Sequence, residues 1–107
     1  MFDLSIPQTK NVYLYPTPIN LRWTEKKLTQ IITEEMGLNV SVGKVFMFYN
    51  KKKDQLKVVF KTTDGWQEFI KFLPDQTFIL PAPEEGKAYL TIDRNKLGKI
   101  FKSDIAL

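Results

Sequence analysis

Six lysines fall between residues 44 and 61 and carry the strongest chemical signal in the sequence. They are Lys44, Lys51, Lys52, Lys53, Lys57 and Lys61, and the same stretch holds a single acid, Asp54. Its charge of +5 exceeds the +4 of the whole chain, so the remaining residues are slightly acidic. Positive charge concentrated beside aromatic residues favours contact with the phosphates and bases of a nucleic acid.

The same lysines also fit a purely structural role. Lys51, Lys52 and Lys53 would form a solvated hairpin tip, and lysines at a sheet edge oppose aggregation. For Lys57 and Lys61 the sequence leaves solvation and anion contact equally open. A loss of nucleic-acid affinity when the lysines become Gln would separate the two interpretations.

Arg22 is the seventh candidate contact. Its guanidinium could hold a phosphate through two parallel hydrogen bonds, or it could pair with a carboxylate of its own chain. The predicted nucleic-acid-binding set is therefore Arg22 together with the six lysines.

The acidic residues do not suggest a catalytic site. Two-metal nucleases cluster several carboxylates around the metal pair, whereas the acids here are scattered over turns and helix caps. Cys and His are both absent, which excludes disulfides, zinc sites built from Cys and His, Ser-His-Asp triads and imidazole bases. We therefore expect no enzymatic activity, no metal ion and no cofactor.

The 107 residues suit a single domain over residues 1–107, with residues 1–10 as a loose N-terminal arm. No apolar stretch is long enough to span a membrane or placed to serve as a secretory signal. Together with the absence of Cys, this favours a cytoplasmic protein.

The apolar pattern predicts an α+β fold with a mostly antiparallel sheet of about five strands. One helix is expected over residues 25–36, with Thr24 as its N-cap and Gly37 as its C-terminal cap. A second, short helix is expected over residues 94–101, capped by Asp93. "NVYLYP", "TFILP" and "AYLTI" are expected to be strands.

Residues 44–73 are expected to form three antiparallel strands. A two-residue type I′ turn at Asp64 and Gly65 would place Lys61 opposite Glu68, Val59 opposite Ile70 and Lys57 opposite Phe72. The long helix would cover the face of Leu56, Val58 and Phe60. The face with Lys57 and Lys61 would then need the arms, a second copy or a partner to cover it.

The order of these segments resembles a known family. "VYLYPTPINLRW", a helix, "GKVFMFYNKKKDQLKVVF", "DGWQEFIKFLPDQTFILP" and "LTIDRNKLGKIFKSDI" are similar to the Orf2 or TnpB-type accessory protein of bacterial insertion sequences of the insertion sequence sixty-six group. The resemblance runs from about residue 12 to 105. Its most specific positions are Gly43, Phe46, Phe48, Asn50, the basic turn, Leu56, Lys57, Gly65, Lys71, Leu73, Phe78 and Pro81.

This sequence departs from the family pattern at two places. Asn20, Leu21, Arg22 and Trp23 stand where the family usually has Asp-Met-Arg-Lys. Lys51, Lys52 and Lys53 stand where arginines are usual, which keeps the charge but loses the bidentate fork of Arg.

The resemblance implies a helper in DNA transposition, with strand cleavage and joining carried out by a separate transposase. Two partners are then open. The basic hairpin and Arg22 could contact transposon-end DNA, or a sheet edge or aromatic face could bind the transposase itself. The oligomeric state is left open.

Overall fold

The computed structural model describes residues 11–101. They form one five-stranded sheet with a helix on each face, which confirms the predicted α+β class. The predicted arm at residues 1–10 lies outside the described residues.

The strands are β1 (Asn11–Leu14), β2 (Val45–Tyr49), β3 (Gln55–Lys61), β4 (Trp66–Phe72) and β5 (Leu90–Asp93). Their order across the sheet is β4-β3-β2-β1-β5. β1 pairs with β2 in parallel and with β5 antiparallel, and the other neighbours are antiparallel. The sheet is therefore mixed but mostly antiparallel, as expected.

The first helix, α1 (Glu25–Gln30), continues as a π-helical turn over Ile31–Glu35. The Thr33 hydroxyl donates to the Thr29 carbonyl at 3.0 Å, and Met36 N–H reaches back five residues to the Ile31 carbonyl. A hydroxyl that bonds the carbonyl four residues earlier competes with the regular ladder, which accounts for the wider turn.

The predicted helix caps have mixed outcomes. Gly37 has a φ of +69°, the left-handed conformation that glycine adopts without strain, so the predicted C-terminal cap is confirmed. Asp93 accepts a hydrogen bond from Lys96 N–H at 2.8 Å at the start of α2 (Arg94–Phe101), as predicted. Thr24 is the N-cap residue of α1, as predicted, but its side chain does not make the expected capping hydrogen bond.

Both faces of the sheet are covered by this chain's own helices. All five residues of β2 are buried, so the strand needs apolar cover on both sides. α1 packs on the face of Phe46, Phe48 and Val59, whereas α2 packs on the opposite face. Residues from both ends of the chain complete that second face: Val12, Leu14, Phe78, Leu90, Ile92, Leu97 and Ile100.

Two sequence expectations about the faces were therefore wrong. α1 covers the face that contains Lys57, and α2 covers the face of Leu56, Val58 and Phe60. Most of the Lys57 face is therefore covered by this chain itself, and it does not need a second copy or a partner along its whole length. The unbroken apolar sequence of β2 was the signal that both faces of the sheet had to be covered.

The β3–β4 register differs from the prediction by two residues. Lys61 lies opposite Trp66, Val59 opposite Glu68 and Lys57 opposite Ile70. Among the described residues other than glycine only Lys53 has a positive φ, and Gly65 is not one of the positive-φ glycines, so the predicted type I′ turn is absent. Instead, a four-residue loop closes by a 2.9 Å bond from Thr62 N–H to the Gly65 carbonyl.

The segment after β4 is not the strand predicted for "TFILP". It folds back over the β2–β3 turn. Leu73 N–H donates to the backbone carbonyl of Asp54 at 2.8 Å, and Phe78 N–H donates to the backbone carbonyl of Lys53 at 2.7 Å. Phe78 is buried against the α2 face. This segment therefore fixes the base of the lysine-rich turn to the domain.

Candidate nucleic-acid interface

The turn between β2 and β3 carries Lys51, Lys52 and Lys53, and Asn50 holds its shape. Asn50 Oδ1 accepts from the backbone N–H groups of Asp54 and Gln55, each at 3.1 Å, and its amide donates to Asp54 Oδ1 at 2.6 Å. Lys53 stands in the left-handed region with a φ of 59°, which lets the chain reverse tightly. These hydrogen bonds thus fix the backbone that carries the three lysines.

All three lysine side chains of this turn are exposed. Asp54, the one acid beside them, is bound to Asn50. Within residues 11–101 no carboxylate lies within ion-pair distance of Lys51, Lys52 or Lys53. Their charge is therefore presented to solvent and not neutralised locally.

Arg22 lies at the same end of the sheet as this turn. Its exposed side chain follows a tight bend in which Asn20 Oδ1 accepts from Arg22 N–H at 2.9 Å and the Asn20 carbonyl accepts from Trp23 N–H at 3.1 Å. Arg22 borders a shallow hollow of about 230 Å³ together with Asn50 and Gln55, the two residues that frame the turn. Arg22 and the turn lysines therefore flank one surface, which we call the turn surface.

Lys57 is not part of that surface. It is buried at 4 % exposure, and its ammonium group donates to the carbonyls of Leu21 and Trp23 at 2.9 and 3.2 Å and pairs with Glu68 at 3.0 Å. These three oxygens match the three protons of the ammonium. The expected exposure of Lys57 was wrong, because the bend that carries Arg22 covers it.

Lys57 instead fixes the position of Arg22. The two carbonyls that it binds belong to the residues on either side of Arg22. The same bend is tied to β2 by Ile19 N–H, which donates to the Tyr49 carbonyl at 2.9 Å, and by the Tyr49 hydroxyl, which donates to the Pro16 carbonyl at 2.6 Å. Burial raises the pKa of this phenol, so the donor stays protonated.

Lys44 and Lys61 lie at the opposite end of the sheet. Lys44 precedes β2 and Lys61 ends β3, so about 20 Å of strand separates them from the turn lysines at 3.3 Å per residue. Lys61 borders a separate groove whose lining also contains Glu25, Asp64 and Trp66. The six lysines thus divide into an exposed turn, a buried residue and a distant pair.

A family model described as IS66 Orf2 like protein matches residues 10–103 of the chain. The chain belongs to this family. The Orf2-like family implies a transposition accessory protein, as the resemblance in sequence indicated. No curated protein and no solved structure matched the chain.

Sequence reasoning missed several residues that shape the turn surface of this Orf2-like protein. Asn50 and Asn20 set the two bends. The available signal was an Asn directly before the lysine run and another two residues before Arg22, since an Asn side chain often bonds backbone N–H groups two residues on. Ile70 and Phe72 were predicted to share the Lys57 face, but their exposure of 50 and 53 % was not.

Among residues 11–101 no helix is long and apolar enough to cross a membrane. In the same part of the chain no group of three or more His, Cys, Asp or Glu residues is placed to hold a metal ion.

Proposed function

We propose that this transposition accessory protein binds nucleic acid through the turn surface. The lysines of the β2–β3 turn and Arg22 would contact phosphates, while strand cleavage and joining belong to the element's transposase. In this proposal the protein acts without catalysis of its own and helps to order a complex of transposase and transposon-end DNA.

One observation carries the proposal: three neighbouring exposed lysines project from a turn held by its own hydrogen-bond network. A turn that is already fixed loses less conformational entropy on binding than a flexible one does. Arg22 adds a planar fork that matches two phosphate oxygens, and it borders the same hollow. Lys57 supports the surface from below, whereas Lys44 and Lys61 are too distant to join it.

Titration against a labelled DNA duplex at several salt concentrations tests this proposal. Each phosphate contact contributes about −0.9 to the slope of log K against log salt. We expect the triple variant Lys51→Gln, Lys52→Gln and Lys53→Gln to weaken binding and to flatten the slope by about two to three. A single Arg22→Lys variant should weaken binding less, because it keeps the charge and loses only the fork.

The matched control removes three exposed lysines elsewhere: Lys26→Gln, Lys96→Gln and Lys99→Gln. Both triple variants lower the net charge equally, so a difference between them isolates position from overall charge. Equal weakening by the two would mean that binding follows net charge alone and not the turn surface. Absence of any DNA binding at low salt would reject the proposal outright.

The edge of the sheet favours a second candidate, in which the protein binds the transposase without contacting DNA. β4 is an outer strand, and within residues 11–101 no strand pairs with its free side. An edge with exposed apolar side chains such as Ile70 can accept a strand from another protein. This candidate predicts salt-independent binding to purified transposase, weakened by Ile70→Lys and unchanged by the triple turn variant.

A further inference from the structure

The turn surface contains more than cations. Four large apolar side chains in residues 11–101 are strongly exposed, namely Val42, Ile70, Phe72 and Ile79. Two of them, Ile70 and Phe72, stand two residues apart on β4 and so point to the same face of the sheet. Singly exposed apolar residues need no explanation, but a pair beside a cation cluster does.

Phe72 lies directly beside the lysine turn. Its partner across the β3–β4 ladder is Gln55, the first residue after the turn, and the next residue, Leu73, donates its N–H to Asp54 within the turn. The bond from Leu73 to Asp54 therefore fixes the backbone at Phe72 beside the turn, on the strand next to β3.

Ile70 lies between Phe72 and Arg22 on this surface. Ile70 borders the 230 Å³ hollow that also contains Arg22, Asn20 and Gln55. The bend over residues 19–22 covers Phe48 and Lys57 but stops short of β4, while α1 covers the other end of the face, near Trp66. The apolar strip of Ile70 and Phe72 consequently lies between Arg22 and the lysine turn, and about half of each side chain is exposed.

Phosphate contacts alone do not account for this strip. In a DNA duplex the bases are stacked inside, so a flat aromatic side chain on a protein surface finds no base face to contact. A single strand presents both its phosphates and the faces of its bases, and stacking on an aromatic ring tolerates any base. An aromatic ring at the rim of a cation cluster thus suits a single strand better than a duplex.

We propose that the turn surface binds single-stranded DNA, with one base stacked on Phe72, its neighbour against Ile70, and the phosphates on Arg22 and the turn lysines. This inference rests on the proposed function and narrows its ligand from nucleic acid in general to an unpaired strand. The positive charge around the strip is the reason to prefer a polyanion over a second copy or an apolar protein segment.

The test compares a 12-nucleotide oligothymidine with a duplex of the same length, by fluorescence anisotropy at matched salt. Unaltered protein should bind the single strand more tightly. Phe72→Ala should weaken single-strand binding about tenfold or more, the range that loss of one stacked base gives, and should change duplex binding less than about twofold. Phe72→Trp should restore single-strand affinity, because it restores the stacking face.

The control is Ile79→Ala, which removes an even more exposed apolar side chain, at 77 %, from a different part of the surface. It should leave both affinities unchanged. Phe72 is more than half exposed, so Phe72→Ala should fold, and its thermal unfolding checks this.

The outcomes separate the two proposals. If the triple turn variant weakens binding while Phe72→Ala behaves like Ile79→Ala, the protein binds through phosphates alone and the single-strand inference is wrong. If Phe72→Ala weakens single-strand and duplex binding equally, it is also wrong. If neither DNA binds at low salt, both proposals fail, and the strip is left to a protein partner or a second copy.

Discussion

Lys57 illustrates how a charge in a cationic cluster can serve the fold. Its ammonium group lies below the surface with three oxygen partners, one from Glu68 and two from the bend that carries Arg22. Removing a buried, fully bonded ammonium leaves these partners without a donor. The residue therefore links the stability of the sheet to the position of Arg22.

We predict that Lys57→Met, which keeps the length of the side chain, lowers the free energy of unfolding by about 2–4 kcal/mol. Urea unfolding followed by tryptophan fluorescence measures the change. Lys61→Met is the control, because Lys61 is exposed on the same strand, and it should change stability by less than about 0.5 kcal/mol. Similar losses for the two variants would mean that the buried contacts contribute nothing measurable.

Tyr15 gives a pH-dependent prediction at the same scale. Burial, and then the 2.7 Å hydrogen bond to Glu35, raise the pKa of its phenol to about 12 from an ordinary value of 10.0. In the unfolded chain the proton leaves near pH 10, whereas the folded protein keeps it until about pH 12. The folded state thus binds more protons in this interval, so Tyr15 contributes stability that is lost as pH rises from 10 to 12.

We therefore expect Tyr15→Phe to reduce the fall in stability between about pH 9 and pH 12. Urea unfolding midpoints of the two proteins at both pH values provide the comparison. Spectrophotometric titration of the native proteins adds a direct check, because the variant should lack one phenol that ionises near the top of this range. Parallel declines in the two proteins would contradict the assignment.

At this scale the sequence located the charges but not their surroundings. It drew attention to Lys51, Lys52, Lys53 and Arg22 but left open whether they share one surface, and their contact with nucleic acid stays a prediction. It could not show that Lys57 is buried, because the oxygens that bind it come from residues 36 and 34 positions earlier and from a neighbouring strand. Long-range contacts of this kind leave no local pattern.

At the scale of elements, the β3–β4 ladder determines what the outer strand presents to solvent. In an antiparallel pair, the backbone groups of alternate residues point toward the partner strand or away from it. Bonds join Thr62 to Gly65 at one end of the pairing and Leu73 to Asp54 at the other. Since the register is unbroken between them, Gln67 points its N–H toward β3 and Ile70 points its N–H outward.

This parity predicts a contrast between two proline variants. Gln67→Pro should lower the free energy of unfolding by about 2 kcal/mol or more, because it removes a ladder bond and leaves the Phe60 carbonyl without a donor. Ile70→Pro should cost clearly less, because its N–H points to solvent. Urea unfolding measures both, and Gln67→Ala and Ile70→Ala subtract the side-chain effects. The reverse ranking would show that the deduced orientation is wrong.

The same ladder shows where sequence reasoning about elements fails. Strand positions and face membership followed from the alternation of β3 and β4, and Leu56, Val58 and Phe60 do share a face. The register did not follow, because Asp64 and Gly65 suggested a two-residue turn while the Thr62 hydroxyl, which bonds Asp64 Oδ1 at 3.1 Å, favours a longer loop. A two-residue slip keeps every side chain on its face but changes its partner.

At the scale of the whole molecule, the two helices determine which surfaces remain available. The sequence predicted both helices and the α+β class, but a count of helices did not reveal that each covers a different face. That arrangement follows from the position of β2 at the centre of the sheet, where an unbroken apolar strand needs cover on both sides. Among the strand residues that the structure describes, Ile70 and Phe72 of β4 are then the large apolar side chains that stay strongly exposed.

The position of β1 between β2 and β5 has a consequence for how the chain acquires its structure during synthesis. β2, β3 and β4 follow one another through short connections, so this meander can form early. One side of β1, in contrast, pairs with β5, and Asn11 must wait for Asp93. Until residues 90–93 have left the ribosome, that side of β1 has no strand to pair with and its backbone groups stay bonded to water.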